Sequence, residues 1–110
     1  MKELINTMHC IAANELNRAN EKFPQFNSKH EAIGVLDEEV YEMNTELEQT
    51  NKWLKDLRVA VYRDYDLNKP ITEMEKKLSA ALAEGVQVLA MLKKFRCFLD
   101  KEEKQNEKLD

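Results

Sequence analysis

The sequence predicts an all-α fold: an antiparallel bundle of three to five helices, completed by oligomerisation. Three observations carry this. Glycine and proline number two each among 110 residues, roughly a third of average usage, whereas an all-β chain needs turn residues every ten or so positions. Apolar residues recur at intervals of three and four, the period of a helix face. Each of the two prolines is followed by a helix-start signature, so the breaks are as legible as the helices.

The prolines mark the boundaries because proline lacks an amide donor and restrains the residue before it. Pro24 stands in Phe23-Pro24-Gln25-Phe26-Asn27-Ser28, and Pro70 follows Asp64-Tyr65-Asp66-Leu67-Asn68-Lys69. Ser28 precedes Glu31 by three, and Thr72 precedes Glu75 by three. Each pair is a capping box that satisfies two orphan amides. The segments predicted are 2–22, 28–64 and 71–104, within a single domain. The second is expected to bend or break near Glu48-Gln49-Thr50-Asn51-Lys52. A short added helix around Trp53 is a further expectation for Asn51 to Lys69. Lys101 to Asp110 has one apolar member and is expected to fray, leaving 105–110 as a flexible tail.

The first segment carries Leu4, Met8, Ile11, Ala12 and Leu16 as one stripe. The second carries Ile33, Leu36, Val40, Met43 and Leu47 as one core-facing seam, continued by Leu54, Leu57 and Val61. The third, from Ala80 to Leu92, is apolar on nearly every side, which implies burial on every side. Three helices from one chain do not easily surround a central one, so a homodimer or homotetramer is expected. Gly34 and Gly85 fall inside helices, where close backbone packing is the expected compensation for a cost of about 1 kcal/mol.

Composition also excludes function classes. With 17 basic and 21 acidic residues interleaved, the net charge is −4. No basic stripe exists to neutralise phosphates, so no nucleic-acid partner is expected. No stretch approaches 18 apolar residues, so no membrane span is expected. Met1-Lys2-Glu3-Leu4-Ile5-Asn6 lacks the apolar run of a signal peptide. Cys10 and Cys97, far apart and within apolar helical patterns, read as reduced, buried thiols of a cytoplasmic protein.

The chemistry lies in the acids. Glu38-Glu39-Val40-Tyr41-Glu42 is on the second helix, and at 100° per residue Glu39 borders the apolar seam with Glu42 one turn on. An acidic cluster on a helix is most often a solvated face. Glu84 shifts that balance, because it stands in the third helix's apolar stretch with Gln87 three residues later. A buried carboxylate must be paired, coordinated or protonated. Arg58, Arg63 or Lys77 pairing with Glu84 is one solution. A divalent cation shared by Glu39, Glu42 and Glu84, with Gln87 as a weak fourth ligand, is the other. Oxygen ligands favour Mg²⁺, with Mn²⁺ as substitute.

Lys22-Phe23-Pro24-Gln25-Phe26-Asn27-Ser28-Lys29-His30-Glu31-Ala32 and Val35-Leu36-Asp37-Glu38-Glu39-Val40-Tyr41-Glu42 resemble the MazG-like all-α nucleotide pyrophosphohydrolases, in particular their phage-type or uncharacterised branch. That family has a Glu-Glu-x-x-Glu motif on one helix and Glu-x-x-Asp on the next, here matched by Glu84-Gly85-Val86-Gln87. The resemblance covers about residues 20–98. It implies a dimer or tetramer and Mg²⁺-dependent cleavage of a nucleoside triphosphate to monophosphate and pyrophosphate. Carried over, Glu39, Glu42 and Glu84 become metal ligands and Glu38 supports them. Gln87 departs from the family's final aspartate, and the 41 residues between Glu42 and Glu84 exceed the usual gap. These departures keep open an alternative, a non-catalytic helical oligomer of the same fold serving as an interaction or regulatory protein.

Other residues carry less. Lys93 and Lys94 follow the second motif and could reach substrate phosphates, although a basic pair late in a helix equally suits the macrodipole. Trp53 could stack on a nucleobase, although such an aromatic is more often core or interface. His9 and His30 have no partner pattern. Met8, Met43, Met74 and Met91 read as core fillers.

Overall fold

A computed structural model describes residues 1–22 and 25–109. They form three helices: α1 (Lys2–Lys22), α2 (Lys29–Arg63) and α3 (Asn68–Leu109). Among the described residues there is no strand, and no helix is long and apolar enough to cross a membrane. The predicted break at Pro24, with Phe23 beside it, lies outside the described residues.

Helix α2 starts as its capping residues dictate. Ser28 Oγ accepts the Glu31 amide at 3.1 Å, and the Ala32 amide reaches the Ser28 carbonyl at 3.1 Å. The Glu31 carboxylate turns to the Asn27 side-chain amide, 3.0 Å away. The expected bend near residue 50 and the separate helix around Trp53 are both absent, since α2 runs unbroken to Arg63. Its polar stretch stays helical with the Thr50 hydroxyl folded back on the Glu46 carbonyl at 2.9 Å, a local bond that leaves the backbone ladder intact.

The turn between α2 and α3 corrects a second boundary. Asp64 takes φ 58°, and the Tyr65 amide bonds back to the Ala60 carbonyl at 2.9 Å. This six-to-one bond closes a Schellman end, with aspartate in the left-handed position usually held by glycine. Helix α3 then begins at Asn68 rather than 71, capped by Asp66 Oδ1, which accepts the Asn68 amide at 3.3 Å. Pro70 is inside the first turn, where its missing donor costs nothing because those amides have no helical partner. The first such bond, from the Ile71 amide to the Leu67 carbonyl, is 3.2 Å. Thr72 is therefore within the helix and does not cap it. At the other end α3 continues to Leu109, so the fraying expected from Lys101 is replaced by helix.

The chain divides into two units, Met1–Glu39 with Val86–Asp110, and Val40–Gly85. The first has a core of Ala12, Phe26, Ala32, Leu36, Ala90 and Met91, with Leu16, Val86, Phe95 and Phe98 packed against it. Three alanines in that core allow close helix approach, and Phe26 meets Phe95 edge to face at 6.3 Å between ring centres. The second unit is a helical hairpin in which Ala60, Pro70 and Ala81 are buried. The seam predicted for α2 as one stripe is in fact split. Leu36, Val40, Met43 and Leu57 turn inward, whereas Ile33, Leu47, Leu54 and Val61 are exposed. Leu4 and Ile11 of α1, and Leu82 and Leu92 of the third segment, are exposed likewise. Cys10 and Cys97, expected inside, are free exposed thiols.

The two helical glycines part company. A Cβ on Gly85 meets Met43 Sδ at 3.5 Å, an ordinary contact, while a Cβ on Gly34 meets nothing within 4 Å. Close packing therefore does not account for Gly34, which sits exposed in a helix interior. Gly34→Ala is expected to raise unfolding stability by about 0.5–1 kcal/mol, from reduced backbone entropy of the unfolded chain. Urea unfolding followed by circular dichroism measures it.

Candidate metal centre

Glu39 and Glu42 stand one turn apart on the unbroken α2, and Glu84 is on α3. Each offers a carboxylate oxygen, and the three oxygens lie within 4.8 Å of one another. Glu39 and Glu84 are half-buried and Glu42 is exposed. Oxygens on opposite sides of one Mg²⁺ stand about 4.2 Å apart, twice a bond of about 2.1 Å. The donor set, three hard anionic oxygens without histidine or thiolate, fits Mg²⁺ or Mn²⁺. Three acids also gather on protein surfaces without any ion, so the electrostatics of the group decide what it is worth.

Glu84 is held above the usual carboxylate range. Desolvation by burial is the largest cause, followed by a hydrogen bond with the Glu42 carboxyl and by the charges of Glu42 and Glu46. A bond between two carboxyl groups exists only while one keeps a proton. The charges acting on Glu84 are thus acidic, and the basic partners weighed from the sequence do not answer them. Lys77 instead approaches Glu46 Oε2, at 3.8 Å. That oxygen is out of water and accepts no hydrogen bond, because 3.8 Å is beyond hydrogen-bonding distance. Glu46 went unremarked in the sequence, although its spacing of four from Glu42 and seven from Glu39 puts it on the same helix face.

The remaining site residues are placed as follows. Glu38 is exposed on α2. Gln87 is half-buried, and its amide nitrogen donates to Glu15 Oε2 of α1 at 3.1 Å. Because a carboxylate only accepts, this bond fixes the amide's orientation. Glu15 was not anticipated, since contacts 72 residues apart leave no mark in local spacing. Lys93 Nζ donates to His9 Nδ1 at 2.9 Å, which gives His9 the partner its sequence context lacked. Lys94 is 7% exposed, with its ammonium 4.7 Å from the centre of the Phe26 ring. This cation–π contact takes Lys94 out of the solvent-facing position that phosphate binding requires.

Trp53 is half-buried and faces a cavity of about 560 Å³, shared with Asp56, Tyr65, Lys69 and Pro70. Eleven residues separate it from Glu42, about 16 Å along the helix at 1.5 Å per residue. It therefore stands apart from the acids rather than over them. Comparison with protein-family models, curated proteins and solved structures gives no match.

The raised Glu84 titration has a sign that can be worked out. Its folded form binds a proton more tightly than the unfolded chain does, so stability is fully present below the unfolded value near 4.5. It is lost as pH rises through the folded value. In metal-free protein, Glu84→Gln is expected to raise the unfolding midpoint at pH 7, and the gain should shrink towards pH 4. Thermal unfolding of both proteins across that range in chelator measures it; a gain independent of pH would contradict the assignment.

Proposed function

We propose that this chain is a Mg²⁺-dependent nucleoside triphosphate pyrophosphohydrolase, converting a nucleotide to its monophosphate and pyrophosphate, with Mn²⁺ as a substitute ion. The observation that carries the reading is the meeting of Glu39, Glu42 and Glu84 oxygens within 4.8 Å, with no cation among the charges acting on Glu84. The resemblance of Glu-Glu-x-x-Glu and Glu84-Gly85-Val86-Gln87 to the MazG-like motifs supports the choice of substrate.

A divalent cation there supplies charge to set against the substrate phosphates and lowers the pKa of a nearby water. The chain's own groups do the rest. Glu39, Glu42 and Glu84 provide a hard anionic pocket whose position is fixed by two uninterrupted helices. Glu84 holds its proton above the usual carboxylate range, so a cation bound there competes with that proton and its binding strengthens as pH rises. Glu38, exposed beside Glu39, adds negative potential without touching the group of three. Gln87 contributes a neutral amide where the resemblance has an acid, which weakens the pocket's charge. Lys93 must leave His9 if it is to meet a phosphate.

A second reading is favoured by the Gln87–Glu15 bond. It spends the motif's last residue on joining α1 to α3, as a non-catalytic helical oligomer used for interaction or regulation would. In that reading added metal changes nothing.

Titration with Mg²⁺ and Mn²⁺, followed by thermal unfolding, is expected to stabilise the wild type. At a hundredfold excess over Kd the gain is about 2.7 kcal/mol. Glu39→Gln should remove most of it, and Gln87→Asp should tighten metal binding. Pyrophosphate release from a panel of nucleotides should then require the metal and fall at least tenfold in Glu39→Gln. Metal-independent unfolding together with no turnover of any nucleotide would favour the second reading.

A further inference from the structure

The cavity of about 560 Å³ beside Trp53 takes no part in the metal centre and lies wholly within the Val40–Gly85 unit. Trp53 and Asp56 line it from one face of α2, three residues apart. Tyr65, Asp66 and Lys69 line it from the turn and the start of α3. Its size and its mix of aromatic walls with a few charged groups are those of a small-molecule site. Two carboxylates stand there against one ammonium. Asp66 Oδ1 already accepts the Asn68 backbone and side-chain amides, at 3.3 and 3.0 Å. Asp56 is in no ion pair among the described residues. Lys69 Nζ stands 6.0 Å from the centre of the Trp53 ring, at the outer limit of a cation–π contact. Lys94 by comparison sits 4.7 Å from the centre of Phe26. The Trp53 ring thus attracts a cation without being covered by one as Phe26 is.

We propose that this cavity binds a small methylated ammonium compound, its cationic head against the Trp53 ring and beside Asp56. The balance of charge sets the sign. Two carboxylates against one ammonium favour a cation and repel phosphate, which separates this site from any nucleotide chemistry at the acids. The number of acceptors sets the kind of cation. A primary ammonium brings three N–H donors that need partners, and Asp66 is already committed to Asn68. A methylated ammonium spreads its charge over carbon, needs no acceptor and is drawn to aromatic faces, tryptophan above all. Tyr65, 58% exposed, offers a second ring, and half-exposed Val59 offers apolar surface to the methyl groups. Lys69 is exposed on a flexible four-carbon stem, so it competes for the Trp53 ring and gives way to a cation that fits better. The site requires neither Mg²⁺ nor catalysis.

Trp53 is the chain's one tryptophan, so its fluorescence reports on the cavity directly. Titration of the full chain with choline, in chelator and against sodium chloride at equal ionic strength, is the test. A saturable change is expected with choline and none with its uncharged carbon isostere, dimethylbutanol. Asp56→Asn is expected to weaken choline binding about fivefold, the effect of one unit charge at about 4 Å in water. Lys69→Met should tighten it, because the competing ammonium is gone. Both side chains are exposed, so neither substitution disturbs the core. Putrescine, whose ammonium groups are primary, and phosphocholine, whose phosphate meets the aspartates, should each bind more weakly than choline. Absence of saturation by choline below about 50 mM overturns the proposal. An equal response to dimethylbutanol, or choline binding that Asp56→Asn leaves unchanged, does the same. Tighter binding of putrescine overturns the methylated head, and tighter binding of phosphocholine overturns the free small molecule in favour of a lipid headgroup.

Discussion

Carboxylates crowded together where α2 and α3 meet set the terms for much of this molecule. Helix pairs ordinarily meet through apolar side chains, which gain free energy by leaving water. Here half-buried Glu84 and exposed Glu42 crowd beside the seam, with half-buried Glu46 one turn further and half-buried Glu39 one turn earlier on α2. Each oxygen withdrawn from water loses hydration, and each added negative charge raises the cost of the next. Glu84 responds by holding a proton more tightly, and Glu46 leaves one oxygen without a hydrogen bond. Apolar residues of similar volume avoid both penalties, so these groups cost the helix pair stability.

Holding them together requires rigid elements. Helices α2 and α3 have 35 and 42 residues, and neither is interrupted near the acids. Spacing along each is then fixed by the 1.5 Å rise, so Glu39 and Glu42 cannot drift relative to one another. The short link between the helices is fixed as well. It is closed by the Schellman bond at Ala60 and by the Asp66 cap on Asn68, two local devices that set where α3 starts relative to the end of α2. Register across the hairpin follows from that turn, and with it the level at which Glu84 comes to face Glu42.

How much of this was readable in the residues depends on whether the cause was local. Helix type, the Ser28 cap and the placement of Glu39 and Glu42 on one face all follow from spacing within a few positions, and all were legible. The start of α3 was misjudged for a local reason too. Pro70 signals a boundary in the sequence, but a proline within the first turn meets no donor requirement, and the cap is Asp66, upstream. Polarity at Glu48 to Lys52 suggested a break, yet a helix exposed on that side has no need of apolar residues there. The tail was read as frayed because it lacks apolar groups, but lysine and glutamate are good helix formers on their own. Long-range pairings left no signal at all: Gln87 with Glu15, Lys93 with His9, and Lys94 on Phe26. The apolar seam of α2 misled by excess, since a helix with two apolar stripes 100° apart reads as one broad stripe until a structure shows which is covered.

Those two stripes connect packing to chemistry. The inner side of the hairpin carries Glu46, Trp53 and Ala60 on α2 and Pro70, Lys77 and Ala81 on α3, with Val40, Met43 and Leu57 also turned inward. The outer stripe, one residue after each of the first six, carries the leucines. A sequence under selection for hairpin stability alone would exchange the two, burying the leucines and leaving the acids in water. With Glu46 half-buried and Leu47 exposed, a charged group stands in the seam while part of the hairpin's apolar area stays in water. Adjacent residues thus serve opposite surroundings, Glu46 in the seam and Leu47 in solvent.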